Sequence, residues 1–153
     1  VIRRVVSDNK GVHLAKYAMA EEAIAKDLIQ RSLDMTTSIP STKIISILDK
    51  WLEVEDLNLI LTTGGTGIGP RDVTPEATKK IIDYEIPGIS ELMRVKNYLN
   101  SVHVSLSRAI AGVKFKKLIV NLPGSVKAVK ENLQVVYPLL KHAIELINGN
   151  TKH

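Results

Sequence analysis

Two hydrophobic periods alternate along this chain. Between Ala18 and Ser32 the residues Met19, Ala23, Ile24, Leu28 and Ile29 share one face at helical spacing. Between Ser41 and Glu53, Ile44, Ile45, Leu48, Trp51 and Leu52 do the same, and Ser41, just after Pro40, is the expected N-cap. "VIRRVVSD" (1–8) reads as a short strand. "LNLILT" (57–62) and "KLIVNLP" (117–123) are near-continuous apolar runs, the mark of strands covered on both faces. Thr74, Pro75 and Glu76 make a helix start, with Thr74 as cap and Pro75 at the first position, and that helix is expected to run to about Tyr84. "PGISELMRVKNYL" (87–99) predicts another helix. Residues 125–147 predict two helices or one kinked one, because Pro138 lacks an N–H and its ring crowds the preceding turn. Strands alternating with helices predict an α/β fold, a three-layer α/β/α domain with a mainly parallel central sheet, spanning residues 1–153 as one unit.

The polarity pattern breaks at one place. After the apolar run 57–62 comes "TGGTGIGPRDVTPEAT", with four of the chain's nine glycines at Gly64, Gly65, Gly67 and Gly69. In such sheets ligands sit outside the carboxyl ends of the strands, where these loops leave. Glycines let the backbone take positive φ and come close to a ligand, and consecutive N–H groups can then form a nest for phosphate oxygens. It is not a Walker loop, since no Gly-Lys-Ser/Thr follows, nor the dinucleotide fingerprint, whose third glycine falls near Arg71. A plain strand-to-helix turn is the bland alternative, with Arg71 pairing Asp72. "NLPGS" (121–125) repeats the layout: a strand end, then Pro-Gly, then Ser125 at the start of a helix, itself an anion site. Two such loops at one sheet edge predict one shared pocket, with Gly124 kept small so that the backbone can approach a ligand.

Composition narrows the classes. With 153 residues, 44% apolar and 24% charged, the chain is long enough to bury a core, and no apolar run reaches membrane-span length. There are no cysteines, which removes disulfides and thiolate sites and fits a reducing compartment. Net charge is +5, and Arg94 to Lys130 contains eight Lys or Arg and no Asp or Glu. That run is either a solvated face or a field for an anion. A phosphorylated small molecule suits it better than nucleic acid, because only Tyr98 and Phe115 interleave the charges. Neither nucleic acid nor membrane is expected as a partner. The four histidines lack metal spacing, so no zinc site is expected.

"LNLILTTGGTGIGPRDVTPEAT", "PGISELM", "LSRAIAG" and "LIVNLPGS" resemble, in order and spacing, the molybdopterin adenylyltransferase family, which includes bacterial MogA and MoaB and the G domain of gephyrin. The resemblance covers roughly residues 40–147. It implies a homotrimeric cytoplasmic domain in which MgATP adenylylates molybdopterin and pyrophosphate leaves, with a molybdenum-insertion domain or protein as a partner. A non-catalytic trimeric scaffold domain of a longer gephyrin-like protein is the alternative it allows. Carried over by position, Asp72 becomes the catalytic carboxylate and Mg²⁺ ligand. Gly64, Gly65, Thr66 and Gly67 line the nucleotide and pterin-phosphate cleft, and Ser107, Gly124 and Ser125 hold the pterin end. Ser7 belongs to the family's first-strand "VSD". Ser107 can also be read as the N-cap of a helix over "SRAIAG". Ile89, Leu92 and Met93 are expected to lack partners inside the protomer and so to serve trimer contacts.

The N-terminal quarter departs from that family. Its Asp-x-Ser-Gly is absent, its Pro-Asp reads Pro40-Ser41, and its second strand is reduced to "LDMTTSI" (33–39). Three explanations stand: other carboxylates such as Glu21 or Glu22 serve, catalysis is lost, or a segment carrying both motifs is missing near the abrupt Thr37-to-Pro40 junction.

Overall fold

The computed structural model describes the backbone of residues 2–6 and residues 39–149. Strand β1 (Ile2–Val6) is followed by helix α1 (Ser41–Leu52), β2 (Leu57–Thr63), α2 (Thr74–Lys79), β3 (Tyr84–Glu85) and α3 (Pro87–Asn97). A 3-10 turn (Val102–Leu106), β4 (Ala111–Lys114), β5 (Lys117–Leu122) and the long helix α4 (Val126–Ile147) complete it. The helix expected at 18–32, residues 33–38 of the strand expected in "LDMTTSI" and the candidate residues Ser7, Glu21 and Glu22 lie outside the described residues.

The strands form one five-stranded sheet in the order β1-β2-β5-β4-β3. The β2–β5 ladder is parallel, with Leu59 opposite Leu118 and Thr63 opposite Leu122. β1 on β2, β4 on β5 and β3 on β4 are antiparallel. The α/β class is as expected, and β2, β5 and β3 share one direction. The sheet is parallel where the two glycine-bearing loops leave it and antiparallel toward its flanks. A two-residue hairpin, with Phe115 at φ 47° and Lys116 at φ 62°, leaves β4 no other way to meet β5.

Why the strands read as continuous apolar runs is visible in their alternation. Leu59, Leu61, Leu118, Val120 and Leu122 pack with Ile89, Met93, Leu133 and Val136 of α3 and α4. Ile60 and Ile119, one residue out of phase, pack on the other face with Ile44, Leu48 and Leu52 of α1 and Ala77 of α2. Three layers result.

Several local expectations are corrected. Pro40, not Ser41, occupies the N-cap of α1, and its carbonyl accepts from Lys43 N and Ile44 N. Helix α2 has six residues and begins at Thr74 rather than after it. It stops early because the sheet captures the chain: Asp83 N donates to Val113 O and Ile86 N to Ala111 O, each at 2.7 Å. "SRAIAG" is not helical; it leads into β4, so Ser107 is no N-cap and instead closes the 3-10 turn as its C-cap, its N–H donating to Val104 O. Residues 126–147 form one helix with Pro138 inside, held by Leu133, Val136 and Leu140 buried on both sides of it. Ile89 and Met93 are core residues, which removes them as trimer contacts.

Candidate functional site

Parallel pairing brings the ends of β2 and β5 together, so the loops that follow start side by side. Gly64 N donates to Leu122 O at 3.0 Å. Beneath them, fully buried Asn121 donates through Nδ2 to Thr62 Oγ1 (2.8 Å) and Thr78 Oγ1 (3.0 Å), and its Oδ1 accepts from Ile110 N (3.3 Å). One amide thus ties β2, α2, the lead into β4 and β5 at a single level. Gly64 and Gly65 take φ of +86° and +66°, a region that side chains disfavour. A Cβ on Gly124 would lie 3.3 Å from Gly64 Cα. The close approach of the two loops is thus a further reason, beside the expected ligand approach, for Gly124 to be small.

The first loop is polarised. Its carbonyls are taken in sequence: Gly64 O by Thr74 Oγ1 (2.9 Å), Gly65 O by Thr74 N (3.1 Å), Thr66 O by Arg108 N (2.8 Å) and Gly67 O by Arg108 Nε (2.6 Å). The N–H groups of Gly65, Thr66, Gly67 and Ile68 have no partner among the described residues. Thr74, expected to cap a helix, instead clamps the loop. Arg108 also donates to Asp72 O and pairs with Glu76. Sequence reading passed over Arg108, although "LSRAIAG" contains it. Arg71, which the bland alternative paired with Asp72, is exposed and forms no ion pair with it.

These loops wall a cavity of about 530 Å³. Gly65, Thr66, Gly67 and Asp72 line one side, Ser107 another, and Gly124 and Ser125 a third. Of the described candidates only Gly64 lies behind the wall. Asp72 is half-buried; its Oδ2 accepts from Gly69 N at 2.9 Å, and its Oδ1 accepts no hydrogen bond among the described residues. Ser107 Oγ accepts from Ala109 N, and Ser107 O accepts from Arg94 Nη1 (3.3 Å). Helix α4 starts at the cavity: Ser125 Oγ accepts from Ala128 N, leaving the N–H groups of Val126 and Lys127 without partners among the described residues. Lys127, Arg94 and His103 add basic side chains to the rim, and Glu131 opposes them. The arrangement offers two separate sets of N–H donors to an anion, with a carboxylate between a loop and a helix N-terminus.

Residues 41–142 match the family described as "probable molybdopterin binding domain". Over 103 residues the chain is 48% identical to the molybdenum cofactor synthesis protein cinnamon of Drosophila melanogaster, covering 67% of this chain and 17% of that protein. It is 40% identical over 125 residues to the molybdopterin adenylyltransferase of Helicobacter pylori, covering 82% of this chain and 62% of the relative. The chain thus spans less than two thirds of the length of either relative. The crystal structure of the molybdopterin biosynthesis enzyme MoaB from Thermus thermophilus superposes with a TM-score of 0.67 at 47% identity, over 72% of this chain and 69% of that one.

Proposed function

The chain belongs to the molybdopterin-binding domain family, and on that premise we propose that it serves molybdenum cofactor biosynthesis as a molybdopterin adenylyltransferase. In this reading an oxygen of the terminal phosphate of molybdopterin attacks the α-phosphorus of ATP. The bond to the β-phosphate oxygen breaks, pyrophosphate leaves, and adenylyl-molybdopterin is the product. The observation that carries the reading is the pair of donor sets around one cavity, since two phosphorylated substrates must be held at once. Phosphoryl-type transfer asks the protein mainly for positioning and charge neutralisation. The N–H groups of residues 65–68 hold phosphate oxygens on one wall, the start of α4 does so on the other, and Arg94 and Lys127 offset the accumulated charge.

Asp72 fits a magnesium ligand because one carboxylate oxygen remains unengaged on the cavity wall. Among the described residues no group of three or more His, Asp or Glu gathers for a metal. That suits an ion brought in with the triphosphate, held by one or two carboxylates, phosphates and water. When bound, magnesium neutralises phosphate charge. Asp72's own task is to hold its turn through Gly69 and to face that charge with a fixed oxygen.

A second reading, a domain that binds molybdopterin without adenylylating it, is favoured by the missing Asp-x-Ser-Gly and Pro-Asp motifs. Isothermal titration with MgATP and a pyrophosphate-release assay with molybdopterin decide between them. For the first reading, Asp72→Ala is expected to bind MgATP about tenfold or more weakly and to release little pyrophosphate. Equal affinity and equal release in parent and variant remove Asp72 from the site. Molybdopterin binding with no pyrophosphate from the parent favours the second reading. Self-association as a homotrimer and a cytoplasmic location belong to the same proposal.

A further inference from the structure

The four carbonyls of residues 64–67 are all held by other groups, and two of the four are held by one residue, Arg108. Arg108 takes Thr66 O through its backbone N–H and Gly67 O through Nε, then reaches Asp72 O and Glu76 with its two terminal nitrogens. Ser107 and Ala109 line the cavity, whereas Arg108 does not. Its guanidinium is therefore on the outer side of the loop. In a trans peptide the carbonyl of one residue and the N–H of the next point in opposite directions. Holding the carbonyls of Thr66 and Gly67 outside consequently directs the N–H groups of Gly67 and Ile68 the other way. These are two of the four loop N–H groups without a partner among the described residues.

We propose that Arg108 is a positioning residue: its fork fixes the Gly67–Ile68 peptide plane and the Asp72 backbone, so that the loop turns a donor and not a carbonyl toward a phosphate there. The proposal rests on the anion-binding reading of the cavity. It differs from a simple charge effect, because a lysine carries the same charge but cannot place three planar donors on Gly67, Asp72 and Glu76 together. Without the fork the Gly67 peptide is free to flip, and its carbonyl would then face the phosphate.

The test compares the parent with Arg108→Lys, Arg108→Met and Glu76→Gln. ATP and inorganic pyrophosphate are titrated calorimetrically, and amide exchange of residues 65–68 is followed without ligand. Both Arg108 variants are expected to bind about tenfold or more weakly at unchanged stoichiometry, with faster exchange of the Ile68 amide. Glu76→Gln, which keeps the carbonyl contacts, is expected to stay within about threefold of the parent. Parent-like affinity in Arg108→Lys assigns the arginine a charge role only and overturns the proposal. Reduced stoichiometry with parent affinity in the folded fraction shows a purely structural arginine and also overturns it. If the parent binds neither probe, the function proposed above fails on its own, and amide exchange then decides: unchanged exchange in both variants overturns the positioning role.

Discussion

Asn121 joins four segments through a single side-chain amide. Its amide is fully buried, donates twice and accepts once, and each partner lies on a different segment. Removing it leaves two threonine hydroxyls and an N–H to find new partners where water has little access. Asn121→Ala is expected to lower stability by about 2–4 kcal/mol, read from urea unfolding. A loss below about 0.5 kcal/mol would put Asn121 in the class of surface substitutions and refute the role given to it. Asp72 and Arg108 act at the same scale but on function. The two kinds of residue are separable, since the first should change the unfolding midpoint and the others the ligand affinity.

At the scale of elements, β3 is only two exposed residues and has little apolar burial to keep it on the sheet. It is fastened by neighbours: Asp83 N donates to Val113 O, Lys114 Nζ donates to Asp83 Oδ1 at 2.6 Å, and Lys114 also lies 4.5 Å from the centre of the Phe115 ring. The hydrogen bond from Lys114 holds the Asp83 carboxyl below its ordinary value. Because the folded state is the weaker proton binder, this contribution is complete at neutral pH, above the unfolded pKa. It is lost as pH falls through the folded pKa. Asp83→Asn is therefore expected to be less stable than the parent near neutral pH, with the gap closing on acidification. A gap that stays constant across that range would refute the pairing. The effect is small in absolute terms, since both groups are solvated.

At the scale of the whole molecule, we propose the apolar strip from the end of α3 through the 3-10 turn as the surface for self-association. Val95, Tyr98, Leu99, Val102 and Leu106 are all exposed there, Leu99 at 93%. A run of that kind is uncommon on a monomer surface. The homotrimer we propose is expected to sediment near three times 16.9 kDa at micromolar concentration, and Leu99→Glu with Val102→Glu should shift it toward monomer. A parent that sediments as a monomer would end the trimer proposal while leaving the cavity untouched.

The α/β class, the buried strands at 57–62 and 117–123, and the two loops at one sheet edge were legible from the sequence alone. Their signals are local: apolar runs of strand length, glycines just after them, and a helix start just beyond. Six of the candidate residues line the cavity because adjacent parallel strands must release their loops on the same side, and Ser107 reaches it from the 3-10 turn before β4. What tertiary structure decided depends on partners far apart in the chain. Arg108 reaches Gly67 across 41 positions and Asn121 reaches Thr62 across 59, and no periodicity reports such pairs. The same holds for the helix that became β3. Residues 80–86 carry no strong strand pattern, and only hydrogen bonds offered by β4 pull them out of the helix. Which of two arginines holds the loop was likewise settled by the fold, since Arg71 adjoins Asp72 in sequence but Arg108 alone faces the carbonyls.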